Sequence, residues 1–400
     1  MVMLQPINRL KNKYTGPCYI VGKGASLDFI KVEDFPISDA PILCLNQTVT
    51  LIEQLDLPNP IYSVQQDGWL DRKWVVFPQK VTVITSTHNS RIFPTGYVYD
   101  QVRDLGIIDK IITAVSAVAI AKLMGCTKII FVAFDIATEN SDKHPSFFIE
   151  KYGVYPAEEK YKRFYDIIRL HLGKFQIPAS FYSIKTKKTI DYKVVDYSII
   201  TTTRDRPMAF DLCRQFVVNQ TVLPKQWLIV DDGRNPLRWK SIVGGEYIRR
   251  EPKKDDPAHT AKINLLTGFR YLVGEKIFIF EDDDYYRNDY VETYLPYLDN
   301  HDLVGKDSIT VYNLEHNMHK TYTGLSYSTF AATCFNKRIL SSVTDACSDF
   351  KFATADGVLW AKDLNKKLVP TETFVSIKGV GGQPGTTRAH RIKELIKDEF

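Results

Sequence analysis

Phe278-Ile279-Phe280-Glu281-Asp282-Asp283-Asp284-Tyr285-Tyr286 decides how this chain of 400 residues is read. The apolar run over residues 276–280 predicts a buried strand, and it stops abruptly in four consecutive carboxylates followed by two aromatic residues. Adjacent negative charges repel one another, so a fold that gathers them at the mouth of a strand needs a cation there. Hard oxygen donors with no neighbouring Cys or His pair suit Mg²⁺ or Mn²⁺ rather than zinc, and such ions bind mainly as bridges to substrate phosphates. A solvated acidic turn is the plainer reading of any charge run. The apolar strand in front of this one, and the order of the motifs around it, favour a site.

Upstream, two more apolar segments end in the same way. Residues 197–201 start a strand that runs into Thr202-Thr203-Arg204-Asp205-Arg206-Pro207, and a helix follows through Met208 to Asn219. Pro207 suits the first turn of that helix, where its missing N–H costs nothing. Residues 227–230 form the next strand, which ends in Asp231-Asp232-Gly233. Three strand ends in a parallel sheet converge on one edge, and open α/β sheets bind ligands there.

The order and spacing of these motifs resemble the family 2 glycosyltransferases with the GT-A fold. Their opening V-I-I-P-T-Y-N-R-P is matched over residues 198–207, with Thr in place of Pro and Asp in place of Asn. Their L-x-Q-T is echoed by Val218-Asn219-Gln220-Thr221 and their V-D-D-G-S by Val230-Asp231-Asp232-Gly233-Arg234. Their A-R-N is matched, one residue longer, by Ala261-Lys262-Ile263-Asn264, and their metal motif L-D-x-D-D falls on residues 280–284 with Glu281 replacing the first Asp.

The resemblance implies a nucleotide-sugar donor site in which Thr203 and Asp231 contact the base, with Arg204, Asp205 and Asp232 beside them. It implies that Lys262 faces the diphosphate, that Glu281 and Asp282 lie near the ribose or the metal, and that Asp283 holds Mn²⁺ or Mg²⁺. An inverting transfer also needs a base within reach of the acceptor hydroxyl. The family keeps an acidic residue beyond a later strand; here residues 330–335 read as that strand and Asp356 as that residue, at the start of a helix, where a helix cap is its other reading. A glycine-rich stretch over residues 378–390 has the composition of a lid. His390 at its end is a candidate third metal ligand, an unliganded surface histidine being the alternative.

The first half predicts a Rossmann-like domain. Residues 17–28, Pro-Cys-Tyr-Ile-Val-Gly-Lys-Gly-Ala-Ser-Leu-Asp, break a strand at Gly22-x-Gly24, a turn that can present backbone N–H groups to a phosphate. Strands are expected at 41–45, ending in Asn46-Gln47, and at 61–64, 80–85 and 128–133, with an apolar helix over 114–124; alternation of this kind implies an α/β fold. These segments look like the nucleotide-binding core of bacterial sialyltransferases and of a related domain typified by archaeal pterin pyrophosphokinases. The resemblance implies a nucleotide site at Gly22, Gly24, Ser26 and Asn46. Lys23 stands where the sialyltransferases carry Asn, and His88 and His144 are the candidates for a catalytic histidine.

Composition bounds the rest. Two α/β Rossmann-like domains are expected, 1–190 and 191–400, the second with a GT-A fold. With 44% hydrophobic and 25% charged residues the chain reads as a globular protein. No apolar run is long enough for a membrane span, and the first residues lack a signal-peptide core, so a cytoplasmic protein is expected. The six cysteines, far apart and without metal-ligand spacing, read as reduced core thiols. Residues 1–190 carry 23 basic and 18 acidic side chains, and the remainder balances at 29 of each. The excess falls mostly in 151–188, a basic strip suited to double-stranded DNA or a solvated helix face.

Three functions follow. One is a metal-dependent transferase acting on a hydroxymethylated pyrimidine in DNA, since the whole chain looks like phage-encoded glycosyltransferases that decorate phage DNA. Another is a transferase building a surface polysaccharide or lipopolysaccharide. The third is a binding module with a decayed centre, against which Asp283 and Asp356 argue. Trp227, Trp239, Tyr285, Tyr286 and Tyr312 suit stacking on sugars and bases alike.

Overall fold

The structure, a computed structural model, describes residues 4–66, 80–90, 93, 95–107, 112–138, 158–242, 244–257, 259–314, 317–349, 355–378 and 396–397. The chain divides into two compact units, Met1–Lys193 and Val194–Phe400, and the join lies within one strand, Thr189–Thr203. Both units are α/β and Rossmann-like.

The first unit holds β1 (Gln5–Pro6), β2 (Pro17–Val21), β3 (Ile42–Leu45), β4 (Ile61–Gln65), β5 (Val81–Ser86), β6 (Tyr97–Tyr99), β7 (Lys128–Val132), β8 (Ala179–Tyr182) and the start of β9 (Thr189–Thr203). They lie in the order β1-β6-β5-β4-β3-β2-β7-β8-β9, parallel throughout except for the β8–β9 pair. The chain winds outward from β2 to β5 and returns to β7 on the far side of β2, so the topological switch falls between β2 and β7. The helix Thr113–Leu123 is apolar on every side and correspondingly buried along almost its whole length.

At the switch, the glycine turn differs from its expected role. Gly22 N donates to Val132 O at 2.9 Å, Gly24 N to Ala133 O at 2.8 Å and Ser26 N to Asp135 Oδ2 at 2.7 Å, while the Ser26 hydroxyl donates to the same carboxylate. A Cβ on Gly22 would meet Ala133 O at 2.7 Å, and one on Gly24 would meet the Asp135 carboxyl carbon at 2.5 Å. These glycines let the ends of β2 and β7 approach each other, and the donors expected to face a phosphate are spent within the fold. Asn46 sits at a positive φ of 52° just past β3, with its side-chain amide on Thr113 Oγ1 at 3.3 Å.

The basic run over 151–188 is not a single surface strip. Its residues 151–157, like His144, lie outside the described residues. Arg169 is buried with its guanidinium 4.5 Å from the centre of the Tyr192 ring, and Lys187 pairs with Asp34 at 2.6 Å. Lys185 and Lys188 are exposed.

The second unit builds a mixed sheet from the rest of β9, β10 (Val222–Asp231), β11 (Glu246–Arg249) and β12 (Lys276–Ile279). The short strand β13 (Tyr285–Tyr286) is followed by β14 (Leu303–Lys306), β15 (Ile309–Asn313), β16 (Met318–Tyr322), β17 (Cys334–Asn336), β18 (Lys366–Val369), β19 (Phe374–Lys378) and β20 (Ile396–Lys397). The main sheet runs β11-β10-β9-β12-β17-β14-β18, with β17 antiparallel to both its neighbours. A second sheet, β13-β19-β15-β16-β20, is tied to it through the acidic turn. The helix after β9 spans Pro207–Val218 with Pro207 in its first turn, as its fixed φ and missing donor allow. The strand expected over 330–335 is a 3-10 turn, Phe330–Ala332, followed by β17. Ser328 and Thr333 hydroxyls bind the carbonyls of Ala332 and Thr329, which curls this segment before it can pair.

All six cysteines are buried and free, and no described helix is long and apolar enough to cross a membrane.

Candidate active site

The ends of β9, β10 and β12 meet at one edge. Ile279 pairs in parallel register with Ile200, and Asp232 N donates to Thr203 O at 3.3 Å. Every polar cluster singled out along these strands is therefore brought to the same edge, although each side chain has its own task.

The acidic turn is held from beneath by Tyr286. Its wholly buried ring stacks on Phe280 with centroids 3.8 Å apart. Its hydroxyl accepts from Glu281 N at 2.8 Å and lies 3.1 Å from Ala331 O, to which it donates. This anchor separates the four carboxylates. Asp284 points back into the protein, accepting from Ile377 N at 2.8 Å. Asp282 accepts from the Thr203 hydroxyl at 2.6 Å, so the first strand end and the acidic turn are joined directly. Asp283 forms an ion pair with Arg206 and keeps part of its surface exposed.

Arg206 is the main counter-charge. One guanidinium nitrogen pairs with Asp283, and another lies 2.9 Å from Asp282 Oδ1, an ion pair without hydrogen-bond geometry. Lys378, at the end of β19, is the second cation acting on the cluster. Burial pushes the Asp282 carboxyl up to about 7, with Arg206 opposing it and Asp283 adding to it. Burial likewise raises Glu281 and Asp284, and Lys378 partly offsets both. The carboxylates in turn hold Arg206 and Lys378 above their usual values despite the desolvation that works the other way.

Asp356 lies in the first turn of the helix Ala355–Ala361, inside the helix rather than at the capping position before it. Its charge is felt by Glu281, which brings it to the same cluster. Two cations thus accompany five carboxyl groups drawn from the acidic turn and this helix, and a bound divalent cation would oppose the burial that raises three of them.

Asp231 and Asp232 brace the edge. Asp231 accepts from Gly233 N at 2.8 Å, Leu237 N at 2.9 Å and the Tyr247 hydroxyl at 2.8 Å, fixing the turn after β10 to β11. Asp232 pairs with Arg250 and accepts from Asn264 Nδ2 at 2.8 Å, and Arg250 also pairs with Asp256 at 2.9 Å. Asp205, at a positive φ of 54°, accepts from Arg234 N at 2.7 Å, and Arg204 acts on the charge of Asp256. Lys262 donates to the backbone carbonyl of Asp349 at 3.0 Å, at the end of the helix Leu340–Ser348. Trp227 and Tyr286, expected to stack on a ligand, are core residues, Trp227 lying flat against Phe210.

The donor set fits a hard divalent cation in a limited sense. Asp282 Oδ1 is a buried oxygen that accepts no hydrogen bond, and oxygen donors suit Mg²⁺ or Mn²⁺. Yet no three His, Cys, Asp or Glu side chains among the described residues are grouped to cage an ion, and His390 lies outside those residues. An ion held by one or two carboxylates and completed by substrate phosphates matches this arrangement; a cage made by the protein alone does not.

Motif reading assigned no charge-balancing part to Arg206 or Lys378, and it gave Tyr286 a stacking part where the residue instead anchors the acidic turn. The signal for Arg206 was its place one residue before the helix-starting proline, at a strand end facing acids.

No family model and no curated protein sequence matches this chain. Among solved structures, it is similar to S. aureus TarS residues 1–349 in complex with UDP-GlcNAc, at 13% identity and a TM-score of 0.35, over 47% of this chain and 60% of that one. TarS residues 1–349 without that ligand gives 12% identity and a TM-score of 0.36, over 46% and 60%. A longer TarS chain is covered over 37% of its length at a TM-score of 0.33. The match thus spans less than two thirds of each of these chains.

Proposed function

We propose that the second unit is a metal-dependent, inverting glycosyltransferase that moves a sugar from a nucleotide-diphosphate donor, a UDP-sugar, to an acceptor hydroxyl. The observation that carries it is the junction of Thr203, Arg206, Asp282 and Asp283 at one sheet edge with Asp356 acting on the same cluster. Asp283, with Asp282 beside it, would hold a Mn²⁺ or Mg²⁺ ion, which when bound would supply Lewis-acid stabilisation of the departing nucleoside diphosphate. His390 is the candidate to complete its shell.

The chain's own residues do the rest. Thr203 fixes the Asp282 carboxylate, and Tyr286 fixes the backbone of Glu281, so the acidic turn keeps its shape when charge changes nearby. Arg206 offsets the carboxylates until phosphate arrives. Asp356 takes the proton of the acceptor hydroxyl; the freed oxygen attacks the anomeric carbon from the face opposite the diphosphate, and the bond to the diphosphate breaks with its electron pair. The acceptor in this reading is a hydroxymethylated pyrimidine in DNA, supported by the motif resemblance and the exposed Lys185 and Lys188. The burial of Arg169 removes part of the basic strip that favoured it, and a surface polysaccharide or lipopolysaccharide primer is the competing acceptor.

The test is to incubate the protein with UDP-sugars, Mn²⁺ and hydroxymethylated DNA, then digest the DNA to nucleosides and weigh them. A hexose or pentose mass shift supports the DNA acceptor, and turnover only on a glycan or lipid-linked primer moves the acceptor while keeping the transfer. Asp283→Ala should abolish transfer with the fold intact; full activity in that variant removes the metal from the reading.

A further inference from the structure

We infer that the turns leading into β2 and β7 form a face that binds the phosphate backbone of double-stranded DNA through Arg9, Lys11, Lys13 and Lys122. The choice of polyanion rests on the DNA acceptor proposed above; the charge of the face does not. β2 and β7 are paired in parallel with Pro17 opposite Lys128, so the segments before them lie side by side at the amino edge of the sheet, the edge opposite the closed glycine turn. Asn12 N donates to Leu123 O at 3.0 Å, Tyr14 N to Met124 O at 2.8 Å and Thr127 N to Gly16 O at 2.9 Å, which ties the two turns together. A Cβ on Gly125, at a φ of 87°, would collide with Tyr14 O, so glycine is what lets them come this close.

Charge on this face has one sign. No acidic residue occurs before Asp28, and none lies between Asp109 and Asp135, in a chain whose 52 basic and 47 acidic residues otherwise nearly balance. Arg9, Lys11, Lys13 and Lys122 are all exposed, and none of them forms an ion pair among the described residues. Elsewhere on the same edge the cations are neutralised: Lys128 pairs with Asp191 at 3.1 Å and Lys80 with Asp56 at 2.8 Å. Lys13 is also held in position. Its Nζ donates to the Tyr62 hydroxyl at 2.9 Å and lies 5.6 Å from the ring centres of both Tyr14 and Tyr62, which leaves two N–H donors of the ammonium for a ligand.

A lysine in the last turn of the helix Thr113–Leu123 offsets the helix dipole, which accounts for Lys122 alone. The last carbonyls of that helix already accept from Asn12 N and Tyr14 N, so three further cations exceed what its end requires. A membrane surface also attracts basic residues, but interfacial segments set apolar side chains beside them. Here no large hydrophobic side chain is exposed on residues 4–27 or 112–134, whereas Asn8, Asn12, Thr15 and Thr127 are exposed, and such groups donate to phosphate oxygens. A duplex carries one negative charge for about every 1.7 Å of its axis, a density that answers a compact group of four cations.

Fluorescence anisotropy of a labelled duplex with the full chain tests the face, in metal-free buffer between about 50 and 200 mM salt. Four phosphate contacts give a slope of log K against log salt of about −3 to −4. Arg9→Ala/Lys11→Ala should flatten that slope by about 2 and weaken binding at least about tenfold at about 100 mM salt, equally for plain and hydroxymethylated duplexes, with the circular dichroism unchanged. Lys122→Ala, on the other turn, should flatten it by about 1. Sugar transfer to hydroxymethylated DNA is measured in parallel. Weakened binding in these variants with no transfer by the wild type upholds the face and removes the DNA acceptor. Transfer by the wild type with duplex affinity unmoved in the variants overturns the face and keeps the acceptor. No duplex binding by the wild type at about 50 mM salt, a loss confined to Lys185→Ala/Lys188→Ala, or binding only to phosphatidylglycerol vesicles would overturn it as well.

Discussion

Arg206→Met isolates the charge balance of the proposed donor site. The substitution keeps the length of the side chain and removes both ion pairs, to Asp282 and to Asp283. Breaking a buried pair by deleting one partner costs about 3–5 kcal/mol. The lower end applies, because Asp283 keeps some solvent and Asp282, already raised to about 7, can take up a proton. For a unit of this size about 3 kcal/mol corresponds to a fall in Tm of roughly 6–12 °C. Mn²⁺ at a hundredfold excess over its Kd returns about 2.7 kcal/mol, close to the deficit. In the wild type the ion must first displace a guanidinium, so its gain is smaller. Thermal unfolding in EDTA and in Mn²⁺ therefore gives four Tm values with a fixed pattern: the variant is the least stable in EDTA and gains the most from the metal. Equal Tm values in EDTA, or equal gains from Mn²⁺, would refute the view that Arg206 and the ion compete for the same oxygens.

Three further outcomes are expected. Asp356→Asn should lower transfer by roughly 10²–10⁴-fold while the Kd for UDP, read by calorimetry, stays within a factor of two; an equal loss in binding would make Asp356 a donor ligand. Tyr286→Phe strands the Glu281 N–H and the Ala331 carbonyl, so unfolding should show a loss of about 1–3 kcal/mol, and a silent variant would mean that water replaces the hydroxyl. Asp282 titrates higher in the folded protein than in the unfolded chain, so folding takes up a proton between the two values. In metal-free buffer, wild-type stability should therefore fall as pH rises from about 4 to about 7, by at most roughly 1.4 kcal/mol per pH unit, and Asp282→Asn should flatten that slope.

What could be read in advance was whatever depends on neighbours in sequence. The strand into Glu281, the helix starting at Pro207 and the buried helix from Thr113 follow from local runs and local chemistry. Arg206 and Lys378 were hidden because their partners lie some 76 to 97 positions away, a distance at which no spacing rule operates. The glycine turn misled for a different reason: close approach of two strands and a phosphate cradle ask for the same residues, and only Asp135, more than a hundred positions downstream, distinguishes them. Asp231 likewise carries a motif spelling while its oxygens secure a turn.

The burial of every thiol gives this protein its own reporters. Cys18, Cys44 and Cys126 belong to the first unit, and Cys213, Cys334 and Cys347 to the second. An alkylating reagent can reach each sulfur only when the structure around it opens, so the order in which the six are labelled would rank local breathing across the chain. Mass spectrometry of the tagged peptides would then follow each half separately, with no engineered probe, and show which half tightens when a donor or a sugar is added.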